Sequence, residues 1–493
     1  MKYYLTYDFG SGSVKAALSG EDYWLVGIEN APYETYFPKF GWAEQKPEEQ
    51  WKAMCRATRK LLQNTQVSPK DIVGITMSQT ATTIIFVDRD GNPMTDCVMW
   101  MDARAEKQAG ELNRKLGEDR FSGKNVIAKL LWFMEERPEV VKKASYMLDV
   151  SGFLFHRLTG EWAYEFTGSR ATCLVDLEKR CWDPDMFALS GFPRHLVPDR
   201  IAGSTEQIGL LLREAAQEMG LRAGIPVFGG CSDHATAMLG TGCIRPGDAH
   251  IYIGTSAWLA VSATPQDGAI GRMPSPVPGQ RYHFYDTDSG GSCIDFLLQT
   301  FYGEELKRGV DAYGIMDQEI VEALEEEEER VLFLPFLAGA SAPISNTTVR
   351  GSFLNLTRST KRRHIARAVM QGVCYNLRWM RDIHEEKNGW SPRFLRGIGG
   401  GMGSRMFPQM LADVLDTPFT PLDNPRFAGN LGLQACIDIG LGKAEDFTVL
   451  DRVVRCKETC MPRDSYRKQH DQLYAFYREA YESLVDLYEH MNG

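Results

Sequence analysis

Two stretches almost half the chain apart share one design: an apolar strand, a turn of glycine and hydroxyl residues, and a second apolar strand. They read YYLTYDFGSGSVKAAL from Tyr3 and HIYIGTSAWLAVSA from His250. A tight strand-turn-strand exposes backbone N–H groups at its tip, because glycine tolerates the unusual dihedrals there and Ser or Thr hydroxyls add donors. Such a tip suits an anion. In the first copy the strand delivers Asp8 to the rim of the turn, where a carboxylate beside phosphate oxygens is a natural support for hydrated Mg²⁺. Two facing clamps suggest a cleft that grips a nucleoside triphosphate.

At 493 residues the chain exceeds the size at which single cores stop growing, so two domains are expected. Short β-like segments at 72–77, 83–87, 226–229, 249–253 and 331–336 alternate with amphipathic helical stretches, which points to an α/β architecture. The segment from Arg245 to Asp248 carries breaker residues and directly precedes the second hairpin, which sets the boundary and gives domains 1–245 and 246–493. No low-complexity linker separates them, so a ligand held between two packed domains is expected. The stretch 463–490 spaces Tyr466, Leu473, Tyr477, Tyr481, Leu484 and Leu487 as one face of an amphipathic helix, whose aromatics serve packing.

A formal charge of -10 argues against broad electrostatic binding to nucleic acid or an anionic membrane. The 11 cysteines are scattered with no CxxC or Cys/His cluster, so neither a disulfide framework nor a zinc site is supported. The N-terminus lacks the basic, apolar and small-residue succession of a secretory signal, and no apolar run approaches a membrane span. A cytoplasmic protein with reduced thiols is the expectation.

No GxxxxGK followed by Ser or Thr occurs, and the glycines of GIGGGMGSR, from Gly397, miss the GxGxxG spacing. What remains there is a glycine-rich loop leading into a helix, open enough for a flat base or a phosphate, with an ordinary strand-to-helix turn as the alternative. In GGCSDHATAMLGTG, from Gly229, an apolar strand ends in paired glycines and Ser232 and Asp233 stand where a helix begins. Helix capping explains them in isolation. Beside two phosphate clamps, Asp233 gains a second reading as acceptor of a hydroxyl proton in phosphoryl transfer.

These segments, together with GWAEQKPEEQW from Gly41, WMDAR from Trp100, KLLW from Lys129, RLTGEW from Arg157, RGSFLNLTRSTKRRHIARAVMQG from Arg350 and GGGMGSRMFPQMLADVL from Gly399, carry a resemblance nearly end to end. The chain resembles the FGGY carbohydrate kinases of the actin-like ATPase superfamily, their xylulokinase-type members most of all. The resemblance implies two actin-like (RNase H-like) α/β domains with sugar and ATP meeting in an interdomain catalytic cleft. It implies Asp233 as catalytic base, in contact with the sugar as well, and Asp8 as the Mg²⁺-supporting carboxylate. Ser11, Gly12, Ser13 and Lys15 match the first phosphate loop, and Gly254, Thr255 and Ser256 the second. Gly400, Gly401, Gly403 and Ser404 match the adenosine loop, and Gly291 with Asp295 a segment that touches the nucleotide in relatives. Asp102 and Arg104 fall where relatives hydrogen-bond substrate hydroxyls; a surface salt bridge is the alternative.

The chain departs from the family pattern after the strand GITM, where it reads SQTATT from Ser78. Gln79 is retained as a substrate residue, while Thr80 and Thr82 replace bulky or charged sugar-reading side chains, which leaves the sugar open. Ala340 and Ser341 stand where an ion pair is usual, and Asn430 where relatives more often carry Ala or Arg. The expected activity is transfer of the γ-phosphoryl group of Mg²⁺-ATP to a hydroxyl of a ketose, a pentulose such as xylulose leading. The alternatives are another ketose or polyol (ribulose, fuculose, erythritol, glycerol), an actin-like ATPase that is not a kinase, or a sugar sensor. The partner is a small-molecule sugar, and the resemblance allows a homodimer.

Overall fold

The computed structural model describes residues 1–267, 272–326, 328–342 and 344–492. The chain divides into two compact units. The first comprises Met1–Gly242, Pro274–Pro278 and Gly429–Val453, and the second Cys243–Met273, Gly279–Ala428 and Val454–Gly493. The sequence boundary near 246 placed everything after it in one domain; in the structure the stretch 429–453 returns to the first unit.

The first unit is built on β1 (Tyr3–Phe9), β2 (Ser13–Gly20), β3 (Leu25–Pro32), β4 (Ile72–Gln79), β5 (Gln207–Leu210), β6 (Pro226–Phe228) and β7 (Cys231–Ser232). They form one sheet in the order β5-β6-β4-β1-β2-β3, with β7 also on β4. β1, β2 and β3 are antiparallel, whereas β1, β6 and β7 all run parallel to β4.

β1 reads as a near-continuous apolar run because both of its faces are covered. Side chains alternate along a strand, and the contacts follow that alternation. Tyr7 shares a hydrogen bond of 2.6 Å with Thr58 of the helix Pro47–Thr65. On the other face Tyr4 donates to Asp438 at 2.5 Å, and Thr6 accepts from Asn430 at 2.8 Å. Ser19, paired with Tyr4 across the hairpin, donates to Gln434 at 2.6 Å. Asp438, Asn430 and Gln434 all sit on the helix Ala428–Gly440, so the returning segment is the lid of this face. That accounts for Asn430: a buried amide reaching Thr6 is a bond that neither Ala nor Arg could make in the same way.

The second unit repeats the plan with β8 (Ala249–Ile253), β9 (Ala257–Ala263), β10 (Arg272–Pro274), β11 (Arg281–Thr287), β12 (Leu395–Ile398) and β13 (Phe419–Pro421), in the order β10-β11-β9-β8-β12-β13. Here β8, β9 and β11 are antiparallel and β12 and β13 extend the sheet in parallel, as β4 does beside β1. The helix Arg362–Asn388 and the final helix Asp464–Asn492 build its core. Tyr477 and Tyr481 of the final helix are buried there, packing on Trp379, as the spacing of its aromatics requires.

Candidate active site

In the first unit, register decides which residues meet. Asp8 of β1 and Cys231 of β7 both pair with Ser78 of β4, and Phe9 and Ser232 both pair with Gln79. Asp8 and the residue after β7, Asp233, therefore emerge together at the carboxyl edge of the sheet, where open α/β sheets bind ligands. Asp233 is the first residue of the helix Asp233–Gly240. Its side chain keeps 34% of its surface accessible, and its carboxylate accepts from the backbone of His234 at 2.9 Å. Burial raises the Asp233 pKa and the nearby charge of Asp8 adds to the rise, against the lowering effect of His234. Asp8 is 39% accessible and pairs with Lys15 at 3.2 Å.

The turn between β1 and β2 closes through Gly10 N–H to the Ser13 carbonyl at 3.1 Å. Side chains beside it occupy its carbonyl oxygens. Tyr33 donates to Gly10 O at 2.6 Å and to Ser13 O at 3.1 Å. Thr35 and Gln45 donate to Ser11 O at 2.9 and 2.6 Å. A Cβ built on Gly12 meets nothing within 4 Å. Carbonyls tied back in this way are withdrawn from an anion at the tip, whose surroundings are then dominated by N–H and hydroxyl groups.

The turn between β8 and β9 has the same construction from different parts. Gly254 N–H donates to Ser256 O at 2.9 Å. The Gly254 carbonyl accepts from Gly291 N–H at 2.7 Å, and the Thr255 carbonyl from Gly290 and Ser292, each at 3.0 Å. The start of the helix Gly291–Phe301 is thus spent on orienting the turn. A Cβ on Gly291 would lie 2.3 Å from the Gly254 carbonyl oxygen, so only glycine permits this approach.

Beside that turn the second unit holds a cavity of about 490 Å³, lined by Gly254, Thr255, Gly291, Asp295, Gly400, Gly401, Gly403 and Ser404. Its apolar wall is Ile253, Ile294, Met316 and Phe407, and Tyr313 and Arg426 complete it. This brings together both glycine-rich segments singled out in the sequence; Ser256 lies outside the lining. The glycines divide their labour. A Cβ on Gly399 or Gly401 would meet Ile253 at 2.4 or 2.7 Å, whereas Gly400 and Gly403 have nothing within 4 Å. Ser404 lines the cavity, but its hydroxyl serves the loop: it donates to buried Asp317 at 2.8 Å and accepts from Phe407 N–H at 3.1 Å.

Two expectations about the sugar are corrected. Gln79 is 1% exposed, donates to Asp149 and Ser151 at 2.7 and 2.9 Å and accepts from Ser151 N–H at 2.6 Å, so both its amide protons are spent inside the protein and it is buried away from a substrate. Asp102 is wholly buried, accepting from Ala43 N–H at 2.7 Å and from the Arg104 guanidinium at 2.7 and 2.9 Å. Arg104 in turn reaches Glu44 at 2.6 Å and lies 3.7 Å over the Trp42 ring. The pair is therefore a buried strut between WMDAR and GWAEQ, neither a sugar contact nor a surface salt bridge. Thr80, partly buried, gives both its N–H and its hydroxyl proton to the Phe9 carbonyl, at 3.0 and 2.9 Å, which leaves its hydroxyl oxygen as an acceptor. Thr82, two residues on, has φ +66°, a left-handed conformation that costs a β-branched residue energy and marks this segment as held by its surroundings.

Sequence reasoning missed Trp100, which is 37% exposed and donates from its indole to the Ser11 hydroxyl at 3.1 Å. It also missed Tyr313, Met316, Asp317 and Arg426. WMDAR pointed near the first; nothing local marks the others, of which Tyr313, Met316 and Arg426 reach the cavity from a helix and a loop far along the chain and Asp317 holds Ser404.

The N-terminal domain of the FGGY family of carbohydrate kinases matches residues 3–240, and its C-terminal domain matches residues 249–436. The chain belongs to the FGGY family of carbohydrate kinases, and is an ATP-dependent phosphotransferase with an alcohol group as acceptor. It is 26% identical to a xylulose kinase of Lactococcus lactis subsp. lactis (strain IL1403), over 99% of this chain and 98% of that one. It is 27% identical to a gluconokinase of Bacillus licheniformis, over 96% of this chain and 94% of that one. The fold matches a solved xylulose kinase from Lactobacillus acidophilus with a TM-score of 0.89 at 21% identity, each chain covered in full. Among the described residues no helix is long and apolar enough to cross a membrane.

Proposed function

We propose that this kinase acts on a ketose, a pentulose such as xylulose first among them, with Asp233 as the base. The observation that carries the reading is the placement of Asp233, accessible at a helix start beside Asp8 and with its pKa raised. A carboxylate of raised pKa is a stronger base for a sugar hydroxyl. In the step, the hydroxyl proton passes to the Asp233 carboxylate, the oxygen bonds to the γ-phosphorus, and the bond to the β-γ bridging oxygen breaks to release ADP.

The remaining roles follow the same reading. Ser11, Gly12, Ser13 and Lys15, and Gly254, Thr255 and Ser256, would hold the phosphates, their turns pre-oriented by the tied-back carbonyls. The cavity beside Gly400 and Gly403 would take adenosine, with Gly291 shaping it and Asp295 on its wall. Asp8, a partly exposed carboxylate at the β1–β2 turn, fits a cation that keeps most of its waters and takes its other ligands from phosphate; among the described residues no group of three or more His, Cys, Asp or Glu could cage a metal. Asp8 would hold the hydrated Mg²⁺, which when bound neutralises phosphate charge. Residues 1–245 would carry the sugar site, the first phosphate turn and the base, and 246–493 the second turn and the adenosine site, in a cytoplasmic enzyme.

The test is ADP release from Mg²⁺-ATP with xylulose, ribulose, fuculose, erythritol, glycerol and gluconate, in wild type and Asp233→Asn. The expected result is strong stimulation by a ketose, reduced at least about 100-fold in the variant. Stimulation by gluconate or glycerol alone would overturn the ketose reading, and near-normal turnover in the variant would remove Asp233 as base.

A further inference from the structure

We infer that the Thr167 hydroxyl, oriented by Glu165, is the positioning group for Asp233, fixing the backbone turn from which that carboxylate projects. The inference rests on the kinase reading for its consequence and on geometry for its substance.

Glu165 is 1% exposed and accepts three hydrogen bonds. Its Oε2 takes the Thr167 hydroxyl at 2.6 Å and Gly168 N–H at 2.8 Å, and its Oε1 takes the Ser204 hydroxyl at 3.0 Å. A threonine hydroxyl carries one proton. Because Thr167 gives its proton to Glu165, its oxygen faces every other neighbour as an acceptor, and it receives Ser232 N–H at 2.8 Å. Ser232 is the residue immediately before Asp233 and forms the N-cap of its helix, yet makes no side-chain cap bond of its own.

The other end of the turn is held by the segment that carries Ser204. Gly229 N–H donates to Glu206 O at 3.0 Å, and Gly230 N–H to Ser204 O at 2.9 Å. Gly230 has φ +68° and packs so closely that a Cβ would lie 2.0 Å from the Met77 carbonyl oxygen. A chain with two adjacent glycines has little stiffness of its own. The direction in which Asp233 points is therefore set by this polar frame together with the short β7–β4 ladder, with the buried Glu165 carboxylate joining the two sides of the frame. Misplacing a base by about 1 Å can cost on the order of 100-fold in rate without weakening ground-state binding.

The test compares wild type with Thr167→Val, which keeps the shape and removes the hydroxyl, and Thr167→Ser, which restores it. Amide hydrogen exchange across 229–234 and steady-state kinetics with Mg²⁺-ATP and D-xylulose are read together. Thr167→Val is expected to speed exchange of the Ser232 amide at least about tenfold. It is also expected to lower kcat roughly 10- to 100-fold with KM values within about threefold of wild type, and Thr167→Ser to return both toward wild type. Unchanged exchange in Thr167→Val overturns the inference. So does faster exchange with an unchanged kcat, or a loss that Thr167→Ser fails to rescue. If wild type does not turn over D-xylulose, or Asp233→Asn matches it, the functional reading fails instead, and the exchange data alone decide whether Thr167 holds the turn.

Discussion

Gln45 donates from Nε2 to the carbonyl oxygen of Ser11 at 2.6 Å, and its own Oε1 accepts from Gln50 at 2.7 Å. GWAEQ thereby has a mechanical role: Trp42 and Glu44 grip Arg104, Ala43 binds Asp102, and Gln45 pins the turn between β1 and β2. Replacing Gln45 with Leu leaves buried polar groups unpaired, at a cost of about 1–3 kcal/mol. KM for Mg²⁺-ATP is expected to rise roughly tenfold. Steady-state kinetics check this, and an unchanged KM would mean the turn keeps its shape without Gln45.

As the proposed base, Asp233 would have to be ionised to accept a proton, and its pKa is raised by burial and by Asp8. Activity is therefore expected to fall with decreasing pH earlier than an ordinary carboxylate, with its pKa near 4, would dictate. Asp8→Asn removes one cause of the rise, so the acid limb of kcat should move to lower pH in that variant. A pH–rate profile of both proteins decides the point; a limb that stays in place means another group sets it.

The cavity glycines separate fold from function. Gly291→Ala forces a Cβ against the Gly254 carbonyl and is expected to lower stability by about 1–3 kcal/mol. Gly400→Ala meets open space, so its melting temperature should match wild type while nucleotide affinity falls. Thermal melts with and without ATP distinguish the two.

His384 and His470 are both fully buried, and burial lowers each pKa to about 4 from an ordinary 6.5. The unfolded chain therefore binds more protons than the folded one between these values, and stability is lost as pH falls from about 6.5 toward 4. Each site contributes up to roughly 3 kcal/mol of acid destabilisation by this linkage. His384→Phe, which cannot ionise, should flatten the fall in melting temperature across that window; a curve parallel to wild type would assign the acid sensitivity elsewhere.

Both hairpins, the helix start at Asp233 and the glycine loop at Gly399 were legible in the sequence, because strand alternation, glycine freedom and helix capping act over a few neighbouring residues. Local chemistry could not say which polar side chains stay open to a ligand. Gln79 is consumed by Asp149, and Asp102 by Ala43 and Arg104. Whether a carboxylate or amide binds substrate or braces a loop depends on partners that only folding delivers. The same holds for the return of the helix Ala428–Gly440 to β1, and for Tyr313 and Met316 beside the glycine loop. The sequence by itself determined the turns and where the reactive groups are presented. The tertiary structure alone decided which of those groups remain free to act, since hydrogen-bonding capacity is finite and distant residues take their share of it.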